Sequence, residues 1–456
     1  MATGESCRRI GVFCHCGQQN LGDEAIFAAV IQNVHSRLPS AEIIGFTINP
    51  ADSEMRHGLR CFPIRHFAKT KSSLASASSP ASSGASESSQ SCDSLSKLKR
   101  FCKSIPGVKH VVSGMRRSVG AAAAILREPG FLFKSYRRLK GVELLLIAGS
   151  QQLNDVYGGV WGFPYTLLKW TLLSKCTGTK IAILSVGAGP INSSISKFFF
   201  RCVLDLVDYR SYRDAFSSHL VESIGSKGIH PVFPDLVYSL QFSTPAQSHS
   251  NARRVVVGIN PVPFYDDFYW YSPDPVRYDD YVCKFASFSK WLDKSGNQVL
   301  FFPTQLRADV LTIRDIRQAM NGAGNSENLL SCRPIHSLKD LVSEISRTDL
   351  VVANRYHGIL ISLALGKPVI GLAYHEKSRA LLEQIGLGEY VLNSAEFEVE
   401  ELIAKFRSLE ANAPAIRKQI AEHMAPLRRA LDEQYGNVFA LIGVASTRRA
   451  SMGKTD

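Results

Sequence analysis

The sequence predicts an α/β fold of two doubly wound domains facing a cleft, and three observations predict it. Short apolar runs alternate with amphipathic stretches of helix length along most of the chain, the pattern of parallel sheets covered by helices on both faces. That pattern breaks in a polar stretch at 243–254 and restarts with the β-branched run Val255, Val256 and Val257. The loops after the apolar runs collect glycine, amide and charged residues, the composition of a crevice beyond the carboxyl ends of parallel strands.

The elements follow in order. Apolar runs predict strands at 10–14, 42–46, 142–148 and 180–186, a short one at 208–213 and a last one at 232–234 in the first half. Between them, amphipathic stretches predict helices at 23–38, 162–176, 195–207 and 215–224. In the second half strands are predicted at 255–260, 299–302, 350–353 and 369–373, and helices at 281–295, 311–321, 338–347 and 358–365, with two more starting at 378 and 398. A Gly366-Lys367-Pro368 turn closes the helix at 358–365. The domain reading is a tail at 1–9, a first domain at 10–242, a linker at 243–254, a second domain at 255–442 and a tail at 443–456.

With 456 residues, 45% of them hydrophobic and 20% charged, the chain has material for two or three cores, which excludes disorder throughout. Its apolar runs fall short of the roughly 18 residues that span a bilayer. The first residues lack the apolar stretch of a secretory signal, so the expected location is cytoplasmic. Ten cysteines lie scattered without a disulfide framework or a second ligand pair. Reduced thiols are expected, with Cys14-His15-Cys16 serving packing and no metal bound.

Thirteen of the twenty-five residues at 72–96 are serine, which marks a disordered insert, and the insert is taken to extend over about 68–140. Residues 97–140 hold twelve Lys or Arg against the single acid Glu128, +11 of the formal +13. This charge fits a solvated helical face or peripheral contact with an anionic membrane. Nucleic acid is excluded as a partner, since no recognition motif accompanies the charge and few aromatics interrupt it.

Four loops carry candidate chemistry. Gly17 to Glu24 lies between a strand and a helix, with Asn20, Gly22 and Asp23 where a helix start exposes amides to a ligand. It is neither a dinucleotide fingerprint nor a Walker loop. Gly149, Ser150 and Asp155 follow the strand at 142–148, and Gly187 and Gly189 follow the next. Asn354-Arg355-Tyr356-His357-Gly358, after the strand at 350–353, sets a permanent cation beside a group that exchanges protons near neutral pH. Lys377 ends the following strand and Arg213 ends one in the first domain, so Arg213, Arg355 and Lys377 together suit a small polyanion.

In order along the chain, Asn20-Leu-Gly22-Asp23-Glu24, Leu153-Asn154-Asp155, Gly187-Ala-Gly189-Pro190, Tyr212-Arg213-Asp214, Pro234-Asp235, Arg355-Tyr-His357-Gly358 and Tyr374-His-Glu-Lys377 resemble the polysaccharide pyruvyl transferase family. The resemblance covers about 10–50 and 142–392 and leaves the serine-rich and basic insert outside. It implies two Rossmann-like domains in a GT-B-like arrangement. It also implies transfer of the pyruvyl group of phosphoenolpyruvate to a sugar of a polysaccharide or a lipid-linked precursor, as a cyclic ketal, without a metal or other cofactor.

Carried over residue by residue, the resemblance gives donor contacts to Arg213, Arg355 and Lys377 and proton transfer to His357. His357 and Arg355 are the expected catalytic residues. The loops themselves make Asn354, Asn20, Gly22, Asp23, Gly149, Ser150, Asp155, Gly187 and Gly189 expected substrate-binding residues, and the resemblance puts acceptor contacts on the first-domain loops. An acid from that domain, Asp23 or Asp155, would deprotonate the incoming hydroxyl. The chain departs from the family's run of glycines at Ala148-Gly149-Ser150-Gln151-Gln152, where larger side chains re-line the crevice. Two other readings share the shape: a nucleotide-sugar glycosyltransferase, and a glycan- or anion-binding relative without chemistry.

Overall fold

The apolar runs form twelve strands among the described residues, and every one is parallel to its neighbours. Strands β1 (Arg9–Phe13), β2 (Glu42–Thr47), β3 (Cys61–Pro63), β4 (Leu144–Ala148), β5 (Lys180–Val186) and β6 (Tyr209–Tyr212) make one sheet in the order β3-β2-β1-β4-β5-β6. Strands β7 (Val256–Asn260), β8 (Gln298–Phe301), β9 (Leu329–Leu330), β10 (Leu350–Ala353), β11 (Val369–Ala373) and β12 (Val391–Asn393) make the other, in the order β12-β11-β10-β7-β8-β9. Both halves are therefore wound alike, with the order reversing between the first and fourth strand of each. Strands β4, β7 and β11 are buried along their whole length, as helices on both faces require.

The computed structural model describes residues 7–66, 126–242, 254–270, 272–321, 329–330 and 332–444. The chain forms two compact units, Met1–Ile64 with Gly141–Asp456, and Arg65–Lys140. Both sheets belong to the first. Their helices are α1 (Leu21–Arg37), α2 (Pro50–His57), α3 (Phe163–Thr177), α4 (Ser194–Leu206), α5 (Ala215–Ser223), α6 (Pro275–Lys294), α7 (Asp309–Asn321), α8 (Leu338–Ser346), α9 (Tyr356–Ala364), α10 (Glu376–Gln384), α11 (Val399–Ala411) and α12 (Ala413–Ala440). No described helix is long and apolar enough to cross a membrane.

Several expectations are corrected. The strand at 232–234 shrinks to a single bridge from Tyr212 to Val232, because Pro231 and Pro234 have no N–H to give a ladder. The helix expected from 281 starts at Pro275, capped by Asp274, whose side chain accepts from the Arg277 amide. The disordered insert does not extend to 140, since residues 126–139 are helical, with Phe131 and Leu139 buried among the basic residues. The serine-rich stretch and most of the basic one lie outside the described residues, as does the linker at 243–253. Cys14 and Cys16 are bonded to each other across His15 rather than reduced, their Cα atoms 5.3 Å apart in the turn that ends β1.

The last helix returns to the first sheet. The Gln434 amide donates to Ser211 Oγ at 3.1 Å and its carbonyl accepts from Ser185 Oγ at 3.0 Å. Arg37 of α1 pairs with Asp432 and lies over the Tyr435 ring. A helix that follows the second half in sequence thus covers strands of the first.

Candidate active site

The loop between β1 and α1 is the hinge of the geometry. Asn20 caps α1, its Oδ1 accepting from the Gly22 amide at 3.1 Å while its Nδ2 donates to Asp23 at 2.8 Å. The same loop is stitched to the segment after β8. The Leu21 amide donates to Thr304 O at 2.9 Å, the Leu306 amide to Gln19 O at 3.0 Å, and the Gln305 side chain to Gln18 O at 3.3 Å. Three residues on each side are thereby fixed across the two halves at the carboxyl ends of their central strands.

Gly22 has a steric role that the motif alone did not disclose. A Cβ built on it would stand 2.1 Å from His357 Nδ1, so the helix start and the imidazole are in direct contact. His357 comes from the first turn of α9, and the next residue, Gly358, is equally constrained: its Cβ would fall 2.2 Å from Asn260 Oδ1 at the end of β7. Two glycines, one in each half, therefore set where the ring lies.

Three cations surround that ring. Arg213 follows β6 and is almost fully buried, pairing with Asp235 at 3.4 Å and Asp214 at 3.6 Å and lying 4.8 Å from the Tyr356 ring centre. Gly187 makes room for it, since a Cβ there would meet Arg213 Nη2 at 2.8 Å. Arg355 donates through Nε and Nη2 to one oxygen of the buried Asp309, at 3.0 and 2.6 Å, and sits 5.1 Å from the Tyr269 ring centre. Lys377, at the start of α10, is 5.6 Å from the Tyr356 ring centre and donates to the Gln151 carbonyl at 3.3 Å.

The electrostatics follow from this crowding. Burial, then Arg213, Lys377 and Arg355, push His357 down to about 3, so the imidazole is neutral at physiological pH. Its Nε2 is buried and has no hydrogen-bond partner. Burial and the two arginines bring Lys377 down to about 8, with Asp23 and Asp214 opposing. Asp23 moves the other way, to about 7, chiefly through burial; Glu24 and Asp235 add to the rise, while the Ser150 hydroxyl and Lys377 oppose it. A buried cationic cluster with one unpartnered neutral base is a site prepared for an anion.

A family model for polysaccharide pyruvyl transferase matches residues 20–376, a span that holds every one of these groups except Lys377, which directly follows it. The chain belongs to the polysaccharide pyruvyl transferase family. No curated protein matches it. Among solved structures, it resembles the S. aureus MnaA–UDP co-structure at 9% identity and a TM-score of 0.52, over 98% of this chain and 100% of that one. It also resembles a putative UDP-N-acetylglucosamine 2-epimerase from Listeria monocytogenes at 10% identity and 0.50, over 91% of each chain. The N-terminal domain of Candida albicans trehalose-6-phosphate phosphatase matches at 10% identity and 0.52, over 96% and 97%. These likenesses establish a GT-B-like fold.

In this pyruvyl transferase family member the structure brings Arg213, Arg355, Lys377, His357, Gly22, Asp23, Ser150 and Gly187 to one place. Other candidates are spent elsewhere. Asn354 is turned into the second half, donating to Leu372 O and Ser394 Oγ at 3.2 and 3.0 Å and accepting from the Tyr281 hydroxyl at 3.1 Å. Asp155 holds the turn before α4, accepting from the Asn192 and Ser193 amides at 2.9 and 2.8 Å, and these bonds keep it below the usual carboxylate range despite the opposing pull of burial. Gly149 packs on Ile26, and Gly189 on Leu220 of α5. Asn20 caps and bridges.

Five residues of the site were not singled out as site residues from the sequence, although Gln151 and Tyr356 lie inside motifs it marked. Asp309 fixes Arg355 and accepts from the Thr304 and Gln305 amides, at 3.0 and 2.8 Å. Tyr356, inside the Arg-Tyr-His motif, is the ring shared by Arg213 and Lys377. Gln151 joins Lys377 to the first half and donates to Gly189 O. Tyr157 and Tyr269, 66% and 43% exposed, come from opposite halves. The departure at 148–152 also acquires a purpose, because Ser150 and Gln151 reach the acid and the lysine that glycines could not touch.

Proposed function

We propose that the protein transfers the pyruvyl group of phosphoenolpyruvate to a sugar of a cell-surface polysaccharide or its lipid-linked precursor, forming a cyclic ketal and releasing phosphate. The observation that carries this reading is the convergence of Arg213, Arg355 and Lys377 on a neutral imidazole with a free, buried Nε2. Phosphoenolpyruvate carries a carboxylate and a phosphate on one carbon, two neighbouring anionic groups that match cations from both halves better than a single phosphate does. Each charge-assisted contact contributes on the order of 1.5–3 kcal/mol.

Donor binding also supplies the acid. In the free protein His357 is held neutral by burial and by cations without a bound anion. One negative charge at ~4 Å offsets about 4 kcal/mol at an effective dielectric of ~20, or about three pKa units. That is enough to bring His357 from about 3 back toward the neutral range. The imidazolium then protonates the methylene carbon of the donor, and the central carbon becomes electrophilic. Tyr157 and Tyr269 stand on the acceptor side, where an exposed ring can stack on the apolar face of a sugar.

The test is to incubate the purified protein with phosphoenolpyruvate and a panel of aryl and lipid-linked glycosides, following phosphate and the ketal by mass. Phosphate released together with a pyruvylated glycoside supports the reading. Release of nucleotide from a nucleotide sugar under the same conditions, with phosphoenolpyruvate inert, overturns it.

A further inference from the structure

We propose that Asp23 is a second catalytic proton carrier, taking the proton of the first acceptor hydroxyl and giving it to the departing phosphate. This rests on the phosphoenolpyruvate reading above. The resemblance left Asp23 and Asp155 as equal candidates for a base from the first half, and the geometry separates them. Asp155 is consumed by three backbone bonds to the Asn192 and Ser193 amides. The backbone of Gly22, the residue before Asp23, lies against the His357 ring, and the Asp23 carboxyl is close enough to Lys377 of the cluster for each to shift the other.

The carboxyl group is 5% exposed and held in one orientation, Oδ1 accepting from Ser150 Oγ at 2.8 Å and Oδ2 from Asn20 Nδ2 at 2.8 Å. Neither bond is to a cation, which is unusual for an acid so deeply placed. The charged groups facing it are Glu24 on its own helix, Asp235 after β6, Lys377 on α10 and the Tyr157 phenol. Burial outweighs Lys377 and leaves the carboxyl at about 7, where it both takes and returns a proton near neutral pH.

The steps balance. His357 gives its proton to the methylene carbon, which becomes a methyl group. The first sugar oxygen bonds to the central carbon, and its proton passes to Asp23. The carbon–oxygen bond to phosphate then breaks, the electron pair leaves with the phosphate oxygen, and Asp23 returns its proton to that oxygen. The second hydroxyl closes the ring and gives its proton to the neutral His357. Both residues end in their starting states, and no oxidant or metal is needed.

The test uses the full chain. Asp23→Asn should lower ketal formation by about 10²- to 10⁴-fold while phosphoenolpyruvate still raises the melting temperature as in the wild type. Ser150→Ala removes a bond that favours the charged carboxylate, so the acidic limb of kcat/KM should move to higher pH, whatever happens to the maximum rate. Wild-type turnover by Asp23→Asn, or an unmoved limb in Ser150→Ala, overturns the role of Asp23 and leaves the donor reading standing. Absence of phosphoenolpyruvate protection in the wild type overturns the donor reading itself. If Asp23→Asn fails to fold, the Ser150→Ala limb decides alone.

Discussion

His357 and Asp23 are perturbed in opposite senses, and each leaves a signature on stability. His357 sits at about 3 when folded against about 6.5 when free, so the unfolded chain takes the proton first and stability falls as pH drops from 6.5 toward 3. Asp23 sits at about 7 against 3.8, so the folded chain takes the proton first and stability rises as pH drops from 7 toward 4. Between pH 4 and 6.5 the two slopes oppose each other in the wild type. His357→Asn should therefore gain stability on acidification from pH 7 to 5, and Asp23→Asn should lose it. Urea midpoints at the two pH values measure this, and identical pH slopes in the two variants would show that neither group is perturbed as described.

The first turn of α1 is the element on which the site depends, because it caps itself through Asn20, touches His357 through Gly22 and presents Asp23. A methyl group at Gly22 has nowhere to go, since His357 is itself backed by Gly358 against Asn260. Gly22→Ala should cost about 1–3 kcal/mol of stability by overpacking and lower turnover by about 10²-fold by displacing the ring. Wild-type turnover in Gly22→Ala, measured as phosphate release, would mean that the contact does not matter. The strands of this fold were readable because each is a short apolar run bounded by turn residues, and β5, β10 and β11 match their predicted limits residue for residue. Strands β3, β9 and β12, of two or three residues, were not readable, since so few residues have no periodicity to detect. Helix α2, opened by Pro50, was missed because its Asp-Ser-Glu-Met-Arg-His sequence has no apolar stripe.

Across the whole molecule, the site exists because two sheets wound alike present their carboxyl ends to each other and are held there by hydrogen bonds between 18–21 and 304–306. Arg355, His357, Lys377 and Arg213 were legible in the sequence, since each lies within four residues of a strand's end and its position at the sheet edge comes with the strand. Asp309, Gln151 and Tyr269 were not, because their roles arise from contacts between segments far apart in the chain, which no local pattern encodes. The same argument explains Asn354: its place beside Arg355 suggested the cleft, while the peptide direction sends its amide to Leu372 and Ser394 instead. The central claim is that a polyanionic three-carbon donor fills the cationic cluster and protonates His357 by doing so. Calorimetric titration with phosphoenolpyruvate in two buffers of different protonation enthalpy tests it directly. Saturable binding with net proton uptake, weakened tenfold or more in Arg355→Gln, is the predicted result; no binding, or binding with no proton taken up, would contradict it.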